Sequence, residues 1–134
     1  MKKIITTEIK DLGLTHKIIV FMAIMLITIV IVRIIMLVKD PDIIIKGFEL
    51  HHFYYGLVLL IITNLFMLFG KIHIRTSLAL SAISIGLVAD ELLYVMGNMS
   101  EQKQYVSTLP SAIIFALLIV FIILFVKYIS KKKK

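Results

Sequence analysis

Four stretches of this chain are too long and too apolar to pack as the core of a soluble domain of its size. Residues 17–38, 51–69, 76–97 and 109–128 each approach the roughly 20 residues of helix that a bilayer requires. The chain has 134 residues, of which 60% are hydrophobic, and a mean hydropathy of +1.05. Soluble domains run nearer to about 45–50% apolar. The second stretch is the shortest and is predicted to stand with little tilt. The first is not a cleavable signal: its apolar run is too long, Arg33 lies inside it, and no small-residue cleavage site follows. The pattern predicts an all-α membrane protein, a single domain over 1–134 built from four antiparallel transmembrane helices.

Basic residues set the expected orientation. Lys2, Lys3, Lys10 and Lys17 precede the first span, Lys71 and Arg75 lie between the second and third, and Lys127 with the tail Lys131, Lys132, Lys133 and Lys134 closes the fourth. The opposite side carries only Lys39, Lys46 and Lys103. This asymmetry predicts cytoplasmic N- and C-termini. The net charge of +7 then belongs mostly to the inner surface, where the lysine tail meets anionic lipid heads. Four lysines without aromatic neighbours do not make a nucleic-acid site. The absence of cysteine excludes disulfides, thiolate metal sites and thiol catalysis.

Residues 2–16 are polar, with Ile5, Ile9 and Leu12 at helical spacing. This predicts a short helix on the inner membrane surface, with Thr15 capping the first span. Asp40 and Pro41 end that span, since proline cannot continue a helix and restricts the residue before it. Ile43, Ile44 and Ile45 form an apolar patch predicted to dip into the outer interface, broken by Gly47. The tight loop 70–75 makes spans two and three antiparallel neighbours, and 98–106 reads as a polar outer loop. Ser107 or Thr108 is the expected cap of span four, with Pro110 in its first turn. There is no internal repeat and no separate soluble domain.

Against this frame, ionisable residues stand where lipid is expected. Asp90 and Glu91 sit side by side inside the third apolar run. Carboxylates at membrane depth are costly and face a partner or a watery cavity. Reflecting antiparallel spans about their loops sets 55 opposite 90, 51 opposite 94 and 33 opposite 55. Arg33, His51, His52, Tyr55, Asp90, Glu91 and Tyr94 then fall in one layer, within about 10 Å of the outer surface. In span three, Ser77, Ser81, Ser84 and Glu91 share a stripe, and Ala79, Ala82, Gly86, Asp90 and Gly97 adjoin it. Small residues at such spacing admit a neighbouring backbone, which makes span three the buried helix.

Two imidazoles and two carboxylates suffice to ligate one divalent metal, and His51, His52, Asp90 and Glu91 are the predicted ligands of zinc, manganese or iron. Arg33, Tyr55 and Tyr94 are the supporting groups. Haem is disfavoured, because both outer histidines lie on one helix. A competing reading makes Asp90 and Glu91 the carriers of a proton- or cation-coupled transporter or channel subunit, gated by histidine protonation. A third makes the layer a docking surface for another membrane protein. Whether the chain is an enzyme is left open. A homo-oligomer is expected, because one small bundle encloses little volume. Each residue also has a purely structural reading: wet interfacial histidines, tyrosines in an aromatic belt, and an Arg33–carboxylate pair that only neutralises charge. His16 and His73 fall on the cytoplasmic side, apart from the cluster.

Overall fold

A computed structural model describes residues 2–38, 43–45, 48–96 and 107–132, with side chains for 13–38, 45, 50–92, 94–96 and 107–132. Helix α1 (Lys2–Val38) leads into strands β1 (Ile43–Ile45) and β2 (Phe48–Leu50), followed by helices α2 (His52–Leu68), α3 (Ile74–Met96) and α4 (Leu109–Lys132). Among the described residues the chain is helical apart from the two-stranded ribbon and the short turns. Asp40, Pro41, Gly47 and the expected loop 98–106 lie outside the described residues.

The expected break between a surface helix and a first span does not occur. One helix runs through residues 2–38, and Thr15, the predicted cap, lies inside it; its hydroxyl accepts a hydrogen bond from Lys127 Nζ at 2.7 Å. No proline interrupts this stretch, and the single Gly13 costs only about 1 kcal/mol in helix propensity. The ribbon was not predicted either. Ile43 pairs with Leu50, Ile44 with Glu49 and Ile45 with Phe48 in antiparallel register, as suits three consecutive β-branched residues.

The turn after α2 is set by Gly70, whose φ of 65° lies in the left-handed region. Its N–H donates to the Met67 carbonyl at 3.0 Å and that of Lys71 to Phe66 at 3.0 Å, closing the helix end by a Schellman motif. The chain reverses at once into α3, whose first turn closes with Ser77 N–H on the His73 carbonyl. At the start of α4 the Thr108 carbonyl accepts from Ala112 N–H, so Thr108 holds the N-cap position.

Helix α3 is the hub. It packs most extensively on α2, then on α1, then on α4, while α1 and α4 barely meet. Small residues permit this. A Cβ at Gly56 would stand 2.7 Å from Leu87 Cβ and 2.9 Å from the Ser84 carbonyl, and one at Gly86 would stand 2.9 Å from the Met25 carbonyl. Met25, Ile29, Ala82, Ala89 and Ala116 form the apolar core between these helices.

Among the described residues two helices are long and apolar enough to cross a membrane: α1 from Gly13 to Val38, and α4. Helix α2, at 17 residues, is about 26 Å long, against a hydrocarbon thickness of about 30 Å. The burial pattern is inside out by soluble standards. Ile19, Ile27, Val30, Ile34, Leu117 and Phe121 all point outward, while Arg33, His52, Thr63, Ser84, Asp90 and Glu91 are buried. Such a surface suits contact with lipid.

Candidate functional site

The upper end of the bundle is where α1 and α3 finish and α2 and α4 begin. There α3 contributes Asp90 and Glu91. Adjacent helical residues point about 100° apart, so the first faces α1 and the second faces the start of α2. Both carboxylates are fully buried.

Asp90 is held from two sides. Its Oδ1 accepts a hydrogen bond from Arg33 Nε at 2.5 Å, and its Oδ2 lies 3.2 Å from His52 Nε2. The Arg33 guanidinium also reaches the Asp90 backbone carbonyl at 3.2 Å and Thr108 Oγ1 at 3.3 Å through Nη2. One side chain from α1 thus ties α3 to the cap of α4. Arg33 does not snorkel outward.

Glu91 closes the start of α2. Its Oε2 accepts the Phe53 backbone N–H at 2.8 Å. That N–H belongs to the first helical turn, which has no intrahelical acceptor and where a negative charge is favoured. His52 Nδ1 approaches the same oxygen at 3.1 Å, and His51 Nδ1 approaches Oε1 at 3.2 Å. The His51 ring meets the Tyr94 ring edge-on at 5.5 Å, and Tyr94 packs with Met36 and Val32. The histidines are not wet: 13% and 10% of their side chains are exposed.

The close contacts therefore run from Arg33 through Asp90, His52 and Glu91 to His51, hydrogen-bonded as far as His52 and by proximity beyond it, since His52 Nδ1 and Glu91 Oε1 make no hydrogen bond among the described residues. Its charges do not balance with neutral imidazoles: one guanidinium faces two carboxylates. His52 touches both carboxylates, one through each ring nitrogen. A neutral imidazole carries one N–H, so the other nitrogen would present a lone pair to a carboxylate oxygen.

Of the seven residues placed in one layer by the sequence, six converge here. Tyr55 does not. The residue is 42% exposed, because α2 turns His52, Gly56 and Thr63 inward and residue 55 lies about 100° from residue 56. The expected pairs 55–90 and 33–55 are replaced by 52–90 and 33–90, while 51–94 holds. Thr108 and the Phe53 N–H are partners the sequence did not reveal. Thr108 was legible as a cap, but its contact with Arg33 crosses between helices distant in sequence. Among the described residues no group of three or more His, Asp or Glu side chains is arranged to hold a metal ion. Asp90 is committed to Arg33 and His52. His16 and His73 are exposed and remote from the network, as expected.

Below this layer, apart from the Lys127–Thr15 bond between α4 and α1, four polar side chains turn back on their own helices. Thr28, Thr63, Asn64 and Ser84 donate to the carbonyls of Ile24, Leu59, Leu60 and Leu80, each four residues earlier.

No protein family, characterised protein or solved structure matches this chain.

Proposed function

We propose that this is a four-span integral membrane protein with cytoplasmic termini, and that its buried network is a proton-binding centre serving a proton-coupled transporter or channel subunit. The observation that carries the reading is His52, set between Asp90 and Glu91 with a ring nitrogen against each. A single added proton completes the charge balance of a buried site. Its loss turns two attractions into one attraction and one repulsion, in contacts that join α2 to α3. Protonation thereby acts on helix packing, which is what a coupled transporter needs.

The four-span topology is supported by the apolar outward faces of α1 and α4 and by the asymmetry of basic residues across the loops. Helices α2 and α3 span as the inner pair, with the ionisable side chains of α3 turned to protein.

A second reading is favoured by a separate observation. His51 Nδ1 and His52 Nδ1 both approach the Glu91 carboxylate, at 3.2 and 3.1 Å. That is close to the separation of about 3.3 Å between neighbouring ligands around tetrahedral zinc. Zinc, manganese or iron would take these three groups, with Asp90 remaining on Arg33, after the rings turned toward a shared centre.

One experiment separates the readings. The protein is labelled with 15N-histidine, purified in mild detergent without chelator, and its imidazole signals are assigned by loss in His51→Gln and His52→Gln. Elemental mass spectrometry is run on the same sample. The proton reading expects no stoichiometric metal and a His52 ring protonated on both nitrogens. In liposomes it expects a proton flux that Asp90→Asn abolishes. A neutral His52 ring, or flux unchanged in Asp90→Asn, sinks it. Stoichiometric metal lost with His51→Gln replaces it by the second reading.

A further inference from the structure

At the opposite, lower end of the bundle a cavity of about 500 Å³ opens between α1 and α3. Helix α1 supplies Gly13, His16, Lys17 and Val20, which share one face by their spacing, and α3 supplies Ile74, Arg75 and Leu78. The volume lies within the range of about 300–1,000 Å³ that small-molecule sites occupy. Three lining side chains are basic or imidazole, and none of the described lining residues is acidic. The rest of the wall is apolar.

Arg33 at the upper end is spent on Asp90, and Lys127 is bonded to Thr15. His16, Lys17 and Arg75, in contrast, are exposed and make no ion pair among the described residues. Gly13 leaves the mouth open, since a Cβ there would meet nothing within 4 Å.

Depth adds an independent constraint. Lys17 and Arg33 are sixteen residues apart on α1, about 24 Å at 1.5 Å per residue. Arg75 and Asp90 are fifteen apart on α3, about 23 Å. Both helices therefore place the basic cavity and the charge network near opposite edges of one hydrocarbon layer of about 30 Å.

We infer that this cavity binds the phosphate head of an anionic phospholipid of the inner leaflet, with His16, Lys17 and Arg75 around the phosphate and an acyl chain lying along Val20 and Leu78. The inference rests on the four-span reading above. The apolar wall above the charges, toward the middle of the bundle, distinguishes a lipid from free phosphate: inorganic phosphate would use the cations alone.

The test uses the full chain, stripped of lipid in detergent and placed in mixed vesicles of phosphatidylglycerol and phosphatidylcholine. After gentle extraction, native mass spectrometry reads the lipid retained per chain. The wild type is expected to retain phosphatidylglycerol preferentially. The double variant Lys17→Gln/Arg75→Gln is expected to lose about thirtyfold of that preference, at about fivefold per surface cation. Gly13→Phe, whose Cβ would meet nothing within 4 Å, is expected to fill the mouth and lower retention with both cations in place. Replacing the lysines at 131–134 by glutamine should leave the preference intact.

Equal retention of the two lipids by the wild type overturns the inference. So does a preference that survives the double variant or disappears with the tail, and so does displacement by millimolar inorganic phosphate as effective as by lipid. Flotation with carbonate-washed vesicles is measured in parallel. A chain that fails to float overturns the membrane reading itself. A floating chain without lipid preference overturns the cavity alone.

Discussion

Arg33 and Thr28 stand little more than one turn apart on α1, and they use their polar atoms in opposite ways. Arg33 reaches across to Asp90 on α3 and to Thr108 at the head of α4. Thr28 turns its hydroxyl to the Ile24 carbonyl of its own helix. The same division runs through the bundle. At the upper end, groups from α1, α2, α3 and the cap of α4 are joined through polar atoms. Lower down, Thr63, Asn64 and Ser84 fold back, and the helices are held by close approach at Gly56 and Gly86. Charge links the helices at the upper level, while below it close packing predominates, with the Lys127–Thr15 bond between α4 and α1 as the described exception. The two are costly in different ways: a buried ion deprived of its partner loses far more than a hydroxyl that leaves a backbone carbonyl still bonded.

The largest effect is therefore expected at Arg33. Arg33→Met leaves Asp90 buried against His52 without its guanidinium and should cost about 3–5 kcal/mol of stability, read by denaturant unfolding in micelles. Removing both charges in Arg33→Met/Asp90→Leu should recover most of that loss, because an apolar pair of similar volume suits this surrounding. The double variant should also be silent in the proton-flux assay. A stable Arg33→Met would mean that charge does not hold the upper end, and the contrast between the ends would collapse.

Close packing comes next. Gly86→Leu drives a side chain against the Met25 carbonyl and Thr28, and should cost about 1–3 kcal/mol as α1 is pushed from α3. Crosslinking yield between cysteines introduced at residues 24 and 83 should fall with it. An unchanged yield would show that α1 is not seated on α3 as the structure has it.

These two levels were legible in the sequence to different degrees, for a physical reason. Helix existence and the role of α3 follow from apolar length and from the spacing of Ala79, Ala82 and Gly86, which are local and periodic. The layer of Arg33, His51, His52, Asp90, Glu91 and Tyr94 was legible because antiparallel helices joined by short turns can be reflected about those turns. The pairings were not. Reflection fixes depth but not rotation, and a slip of less than one turn exchanges Tyr55 for His52 opposite Asp90. Helix α1 ran on past the expected break because polar composition by itself does not end a helix. The ribbon at 43–45 and 48–50 went unread because a three-residue apolar run has no period to measure. The Phe53 N–H bond to Glu91 was invisible in principle, since it is made by backbone.

The smallest expected effect tests the lower level most sharply. Ser84→Ala and Thr28→Val remove hydroxyls that serve only their own helices, and each should change stability by no more than about 0.5–1 kcal/mol. Their consequence for flux is the informative part. Below Asp90 the hydroxyls of Thr28, Thr63 and Ser84 are each occupied by a carbonyl four residues back. A proton delivered to the network must then leave by movement of the helices or along a path these hydroxyls do not line. On that account both variants conduct like the wild type, and Ser84→Ala/Thr28→Val does too. A stable double variant with flux reduced as far as in Asp90→Asn would show that these hydroxyls leave their carbonyls during transport. The lower half would then have to be redrawn as the second segment of one relay, with the fold-back bonds as its closed state.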